Sequence, residues 1–162
     1  MRITIGVLAV SGNLDPSESE EIVTNAAIRA LSHVGYERVV TKTTPDEPQK
    51  QKQELIDLCK TCDIVFTAGG TGFDERDVTP EITAEIVDRR ADSLAELIRM
   101  NLHKRSETSH LNRGIAGIRG QTIVINLPST AETVKEAIEA VGLLIRPMMS
   151  SLRGSKVVQD VE

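Results

Sequence analysis

A chain of 162 residues with 40% hydrophobic content is long enough for one domain with a sizeable core, and 2% aromatic content makes that core aliphatic. A formal charge of -5 without a basic run argues against nucleic acid as the main partner, and no apolar stretch reaches the ~20 residues of a membrane span. A strand pattern that starts at the N-terminus leads to the expectation of a soluble, cytoplasmic protein.

Residues 2–10 form a continuous apolar run, the pattern of a strand buried on both faces of a parallel sheet. Asp15-Pro16-Ser17-Glu18 has the form of a helix start, and Ile22, Val23, Ala26, Ala27, Ala30, Leu31 and Val34 follow at helical spacing, with Gly35 suited to the C-terminal cap. Residues 37–43 predict a second strand. Residues 49–60 predict a second helix with Leu55, Ile56 and Cys59 inward, and 63–67 a third strand. This βαβαβ order requires right-handed crossovers and a largely parallel sheet, with the second and third strands expected as neighbours.

The run Thr67-Ala68-Gly69-Gly70-Thr71-Gly72-Phe73-Asp74-Glu75-Arg76-Asp77-Val78-Thr79-Pro80-Glu81 follows the third strand. Its glycines allow a tight turn and close approach of backbone to a ligand, and exposed amides there form an anion cradle. Thr79 as N-cap and Pro80 at the first helical position predict a helix whose dipole favours an anion nearby. A carboxylate at Asp77 would repel a phosphate unless a divalent cation stood between them, which suggests Mg²⁺. No Gly-Lys-Ser/Thr follows, so this is not a Walker A loop.

Beyond the loop, residues 80–90 and 93–102 predict helices and 104–110 a polar loop. Residues 114–118 and 122–127 predict two short strands about a turn at Arg119-Gly120-Gln121. Ser129-Thr130-Ala131-Glu132 reads as a capping box opening a helix that carries Val134, Ala137, Ile138, Val141 and Ile145 to about residue 146, where Pro147 interrupts it. Residues 150–162 lack a periodic pattern, and a mobile end is expected. No repeat or linker divides the chain, so residues 1–162 predict a single α/β domain: a three-layer αβα sandwich around a mostly parallel central sheet, with ligands at the carboxyl ends of its strands. Cys59 and Cys62 form a C-x-x-C at a helix C-terminus, where the dipole disfavours the thiolate, so their reading is structural. His33, His103 and His110 are scattered and read as surface groups.

The central run resembles the signature of the MogA/MoaB family, the molybdopterin adenylyltransferases, which includes the gephyrin G domain. That signature is T-x-G-G-T-G followed by R-D-V-T-P-E, and every letter is present here. Asp46, after Thr44-Pro45, matches the family's P-D aspartate; the residues alone also allow it a turn-capping role. Arg113, Gly117, Asn126, Leu127 and Pro128 match the family's S-R-x-x-x-G and N-L-P-G segments, with Asn112, Ser129 and Ala131 replacing the usual serine, glycine and proline.

The resemblance implies transfer of AMP from ATP to the phosphate of molybdopterin with release of diphosphate, with Mg2+ accompanying ATP. Asp46 and Asp77 would be catalytic and hold the metal. Gly69, Gly70, Thr71, Gly72, Arg76, Arg113, Asn126, Pro128, Ser129 and Thr130 would bind substrate. It also implies a homotrimer or a hexamer, for which Ile82, Ile86, Leu94, Leu97, Ile98 and Leu102 offer an expected apolar surface. The alternatives are a non-catalytic pterin-binding or scaffold protein of the same fold, motivated by the replacements at residues 112 and 129, and a related hydrolase.

Overall fold

A computed structural model of the chain describes residues 2–12, 14 and 18–154. The expected helix start at Asp15, Pro16 and Ser17, and the tail over residues 155–162, lie outside them. In chain order the elements are β1 (Ile5–Val10), α1 (Glu20–His33), β2 (Val39–Thr44), α2 (Pro48–Thr61), β3 (Ile64–Ala68), α3 (Thr79–Ile86) and β4 (Arg89–Arg90). There follow α4 (Asp92–His103), a 3-10 turn (Glu107–Leu111), β5 (Ala116–Arg119), β6 (Thr122–Leu127), α5 (Ala131–Gly142) and α6 (Ile145–Leu152).

One six-stranded sheet has the order β2-β1-β3-β6-β5-β4, parallel through β2, β1, β3 and β6 and antiparallel where β5 and β4 are added. The expected adjacency of the second and third strands is therefore wrong, because β1 lies between them. Every residue of β1 is buried, whereas residues 40–43 of β2 are exposed, so the wholly apolar strand takes the interior and the polar one the edge. From β1 the chain crosses to β2 on one side, then back past β1 to β3. Right-handed crossovers in opposite directions place α1 and α2 on opposite faces. Accordingly α1, α4, α5 and α6 pack on one face around Leu31, Phe66, Ile125 and Ile138, while α2 and α3 cover the other with Leu55, Leu58, Ile82 and Ile86. The sandwich has the three layers expected.

Local differences from expectation follow from tertiary contacts. Ser19 caps α1, its hydroxyl accepting from the amide of Ile22. On α2 the buried face is Gln51, Leu55 and Leu58, while Ile56 and Cys59 are only half-buried. α3 stops at Ile86 because Asp88 and Ala91 donate to Ile118 and Ala116, making an edge strand of residues expected to be helical. The last helix breaks at Leu143 and Leu144, ahead of Pro147. That proline is the third residue of α6, where its missing N–H removes no intrahelical bond. Ile82, Ile86, Leu94, Ile98 and Leu102 are at most 8% exposed within the one chain and Leu97 is half-buried against the core, so the anticipated assembly surface is largely core.

Candidate active site

Ala9, Ala68 and Leu127 stand in one row across β1, β3 and β6, so the loops leaving these strands emerge at the same level. Between β1 and β3 the direction of winding reverses, the position at which open α/β sheets leave a crevice. A cleft of about 540 Å³ occupies it. Gly12 and Leu14 line it after β1, residues 70–72 with Asp74, Arg76 and Asp77 after β3, and Pro128, Ser129 and Thr130 after β6. A fourth wall comes from Leu102, Arg105, Ser106, Thr108, Ser109, Leu111 and Asn112.

The glycine turn is held from several sides. Gly69 and Gly70 have φ of 97° and 75°, conformations that L side chains rarely adopt. The amide of Gly69 donates to Pro128 O at 3.3 Å, joining the β3 loop to the β6 loop, and Gly70 O accepts from the amide of Thr79 at 3.1 Å. Thr71 is buried. At Gly72 an added Cβ would lie 2.7 Å from Asp77 Oδ2, so only glycine lets the chain pass so close to that carboxylate. Asp77 Oδ2 accepts from the amide of Asp74 at 3.1 Å.

Arg76 gathers the acidic groups. Its Nε donates to Asp74 Oδ1 at 3.2 Å and its Nη1 stands 4.0 Å from Asp46 Oδ2. The hydrogen bond to Asp74 and the charges of Asp74, Asp46 and Asp77 all favour the charged guanidinium and raise its already high pKa. The amide and guanidinium of Arg76 in turn hold Asp74 below the usual carboxylate range. Asp46 does not line the cleft. It stands behind Gly12, where an added Cβ would meet its Cβ at 3.5 Å. Asp46 and Asp77 thus converge through a shared cation from strands that are not neighbours.

Arg113 and Asn126, expected to meet the ligand, face the protein. Arg113 donates to Gly72 O (2.7 Å), to Asp77 O (2.6 Å) and to Glu81 Oε1 (2.5 Å), and its amide donates to Thr71 O. Asn126 is buried. Its Nδ2 donates to the hydroxyls of Thr67 and Thr83 and its Oδ1 accepts from the amide of Ile115, so it ties β6 to β3, α3 and the entry to β5. The N-cap of α5 is Thr130, whose hydroxyl accepts from the amide of Thr133, one residue later than the capping box predicts. Ser129 is thereby left to line the cleft. Glu132 bonds Arg105 instead of returning to the cap, and Ala131, where proline is usual, offers an N–H that Glu18 Oε1 accepts at 3.1 Å.

The sequence did not show the wall over residues 105–111; residues 104–110 read only as a polar loop. Its density of Ser and Thr just ahead of Arg113 was the available signal. Arg105, bonded to Glu132 and Glu136, anchors one end to α5, and Arg113 anchors the other to the glycine turn. The two cysteines lie away from the cleft, beside Asp63 and Thr122 at the opposite end of the strands. Burial pushes the Cys59 thiol up to about 11 and also raises Cys62.

Among the described residues no three His, Cys, Asp or Glu side chains form a metal-holding group. The hard carboxylate oxygens of Asp77 at the cleft, with Asp46 against Arg76, are of the kind that would hold Mg²⁺, which is commonly bound by one or two carboxylates and completed by substrate phosphates. No helix among the described residues is long and apolar enough to cross a membrane.

The chain is 34% identical to the molybdopterin adenylyltransferase of Helicobacter pylori over 86% of its own length and 81% of that protein. It is 33% identical to the molybdenum cofactor synthesis protein cinnamon of Drosophila melanogaster, over 88% of this chain but 24% of that longer protein. The crystal structure of the molybdopterin biosynthesis enzyme MoaB from Thermus thermophilus superposes with a TM-score of 0.83 at 33% identity, covering 94% of this chain and 98% of that one. Residues 6–150 match the family described as "Probable molybdopterin binding domain", and to that family the chain belongs.

Proposed function

We propose that this chain is a molybdopterin adenylyltransferase, moving AMP from ATP to the phosphate of molybdopterin and releasing diphosphate. The observation that carries the reading is one cleft holding a glycine turn with Asp77 locked against it on one side and Ser129 with Thr130 at the start of α5 on the other. A phosphate oxygen of the pterin substrate attacks the α-phosphorus of ATP, and the bond to diphosphate breaks as the new P–O bond forms. The attacking oxygen is anionic at neutral pH, so alignment and charge stabilisation suffice.

In this reading Gly69, Gly70, Thr71 and Gly72 cradle the nucleotide phosphates, Arg76 neutralises charge, and Ser129 with Thr130 anchors the pterin phosphate. Asp46 and Asp77 would hold Mg²⁺, which when bound neutralises charge on phosphate oxygens. Arg113, Asn126 and Pro128 set the loops in place. The whole chain acts as one domain in the cytoplasm, as a homotrimer or hexamer.

The experiment is incubation of the purified protein with ATP, Mg²⁺ and molybdopterin. Diphosphate release with adenylylated pterin is the expected result. A second reading, a non-catalytic pterin-binding or scaffold protein, is favoured by one observation: the Glu18 carboxylate sits on the Ala131 amide, where an anion is expected. Tight pterin binding without diphosphate release would establish it and overturn the first.

A further inference from the structure

Gln51 lies on α2 within the aliphatic layer that α2 and α3 form against the sheet, 1% exposed, on the same helix face as Leu55 and Leu58. Its amide makes one hydrogen bond, from Nε2 to Oγ1 of Thr79 at 2.5 Å, and its Oε1 has no partner among the described residues. Exchanging the two ends of the amide changes nothing: one end meets the hydroxyl and the other stays unpaired. A buried polar end left without a partner costs about as much as one hydrogen bond returns. Were the Thr79 hydroxyl removed with it, an aliphatic pair of similar volume would therefore fit this layer about as stably. What the amide contributes is position.

Thr79 is fully buried and is the first residue of α3, yet its hydroxyl does not cap the helix it opens. It is drawn to Gln51 instead, while its amide holds Gly70 O at 3.1 Å. Gly70, with φ of 75°, lines the cleft. One side-chain bond and one backbone bond thus run from the helix layer behind the sheet to the peptide at the turn of the glycine loop.

We propose that Gln51 is a positioning residue for the glycine loop, fixing Thr79 and through it the carbonyl of Gly70. Its kinetic consequence rests on the reading of the cleft as the adenylyl-transfer site; its positional consequence does not.

The test is Gln51→Met. The melting temperature is expected to fall by about 2–4 °C, because the buried Thr79 hydroxyl is left without its partner, while the Thr79 amide exchanges with solvent deuterium on the order of tenfold faster. The kcat for adenylyl transfer should fall about tenfold with KM for ATP changed less than about threefold, because a displaced loop harms alignment more than ground-state binding. A fall in melting temperature with unchanged Thr79 exchange would make Gln51 an ordinary structural contact and overturn the proposal, as would unchanged exchange and kcat in a stable variant. Thr79→Val breaks the same bond from its other end. It should reproduce the kcat loss, and the double variant should be no slower than either single one; multiplied losses overturn the proposal. If the unmutated chain releases no diphosphate, the functional reading fails, and Thr79 exchange still decides the role of Gln51.

Discussion

Gly72 and Asp77 are packed so closely that a single methyl group would separate them, which fixes the Asp77 carboxylate at the edge of the cleft. Asp77→Asn keeps the shape and removes the charge. Turnover is expected to drop on the order of a hundredfold with the melting temperature unchanged. Asp46→Asn should act likewise, and the double variant should lose less than the product of the two if both serve one cation. Near-normal diphosphate release from Asp77→Asn would remove the metal assignment. Gly70→Val tests the cradle. A β-branched residue at φ of 75° is strained by about 1–3 kcal/mol, so ATP affinity should vanish or folding should suffer. Calorimetric titration giving unchanged affinity in a folded variant would place the nucleotide elsewhere.

Between elements, Arg113 connects the entry to β5 with the glycine loop and α3, through two carbonyls and Glu81. Arg113→Met leaves those carbonyls without their donors. The expected loss is about 2 kcal/mol, read as a melting temperature lower by roughly 4–8 °C, together with a higher KM for ATP; an unchanged melting curve would contradict the strut. The C-terminal turn of α2 makes a pH prediction. Burial holds Cys59 protonated up to about 11, so between the ordinary thiol range and that value the folded chain binds more protons than the unfolded one. Stability should therefore fall as pH rises through 9 to 11, and Cys59→Ala should flatten the decline. Thermal melts across that range check it. Alkylation of this thiol near pH 8 should be slow for the same reason.

For the whole molecule, the residues expected to form an assembly surface pack largely into the core, and the most exposed large apolar groups among the described residues are instead Phe73, Met100, Leu111 and Leu143. Light scattering is expected to give a mass near three chains of 17.7 kDa each. A stable species of one chain at micromolar concentration would refute the trimer. The antiparallel β5 and β4 extend the sheet beyond β6 without a further crossover helix, so the cleft sits nearer the β1–β3–β6 centre than either edge.

The sequence alone determined the alternating helices and strands, because apolar runs and 3.6-residue spacing are local properties of the chain. It also determined the glycine turn, since the motif from Thr67 to Glu81 is contiguous and its φ > 0 positions admit only certain residues. The tertiary structure decided what depends on residues distant along the chain. It set β1 between β2 and β3, drew residues 89–90 out of a helix into an edge strand, and buried the side chains expected to bind a partner. It also turned Arg113 and Asn126 inward, because carbonyls and hydroxyls from β3, α3 and β5 converge on them only after folding. Gln51 belongs to the same group: nothing around it in sequence shows that its partner lies 28 residues on, since hydrogen-bond pairing between layers is set by packing rather than by neighbouring residues.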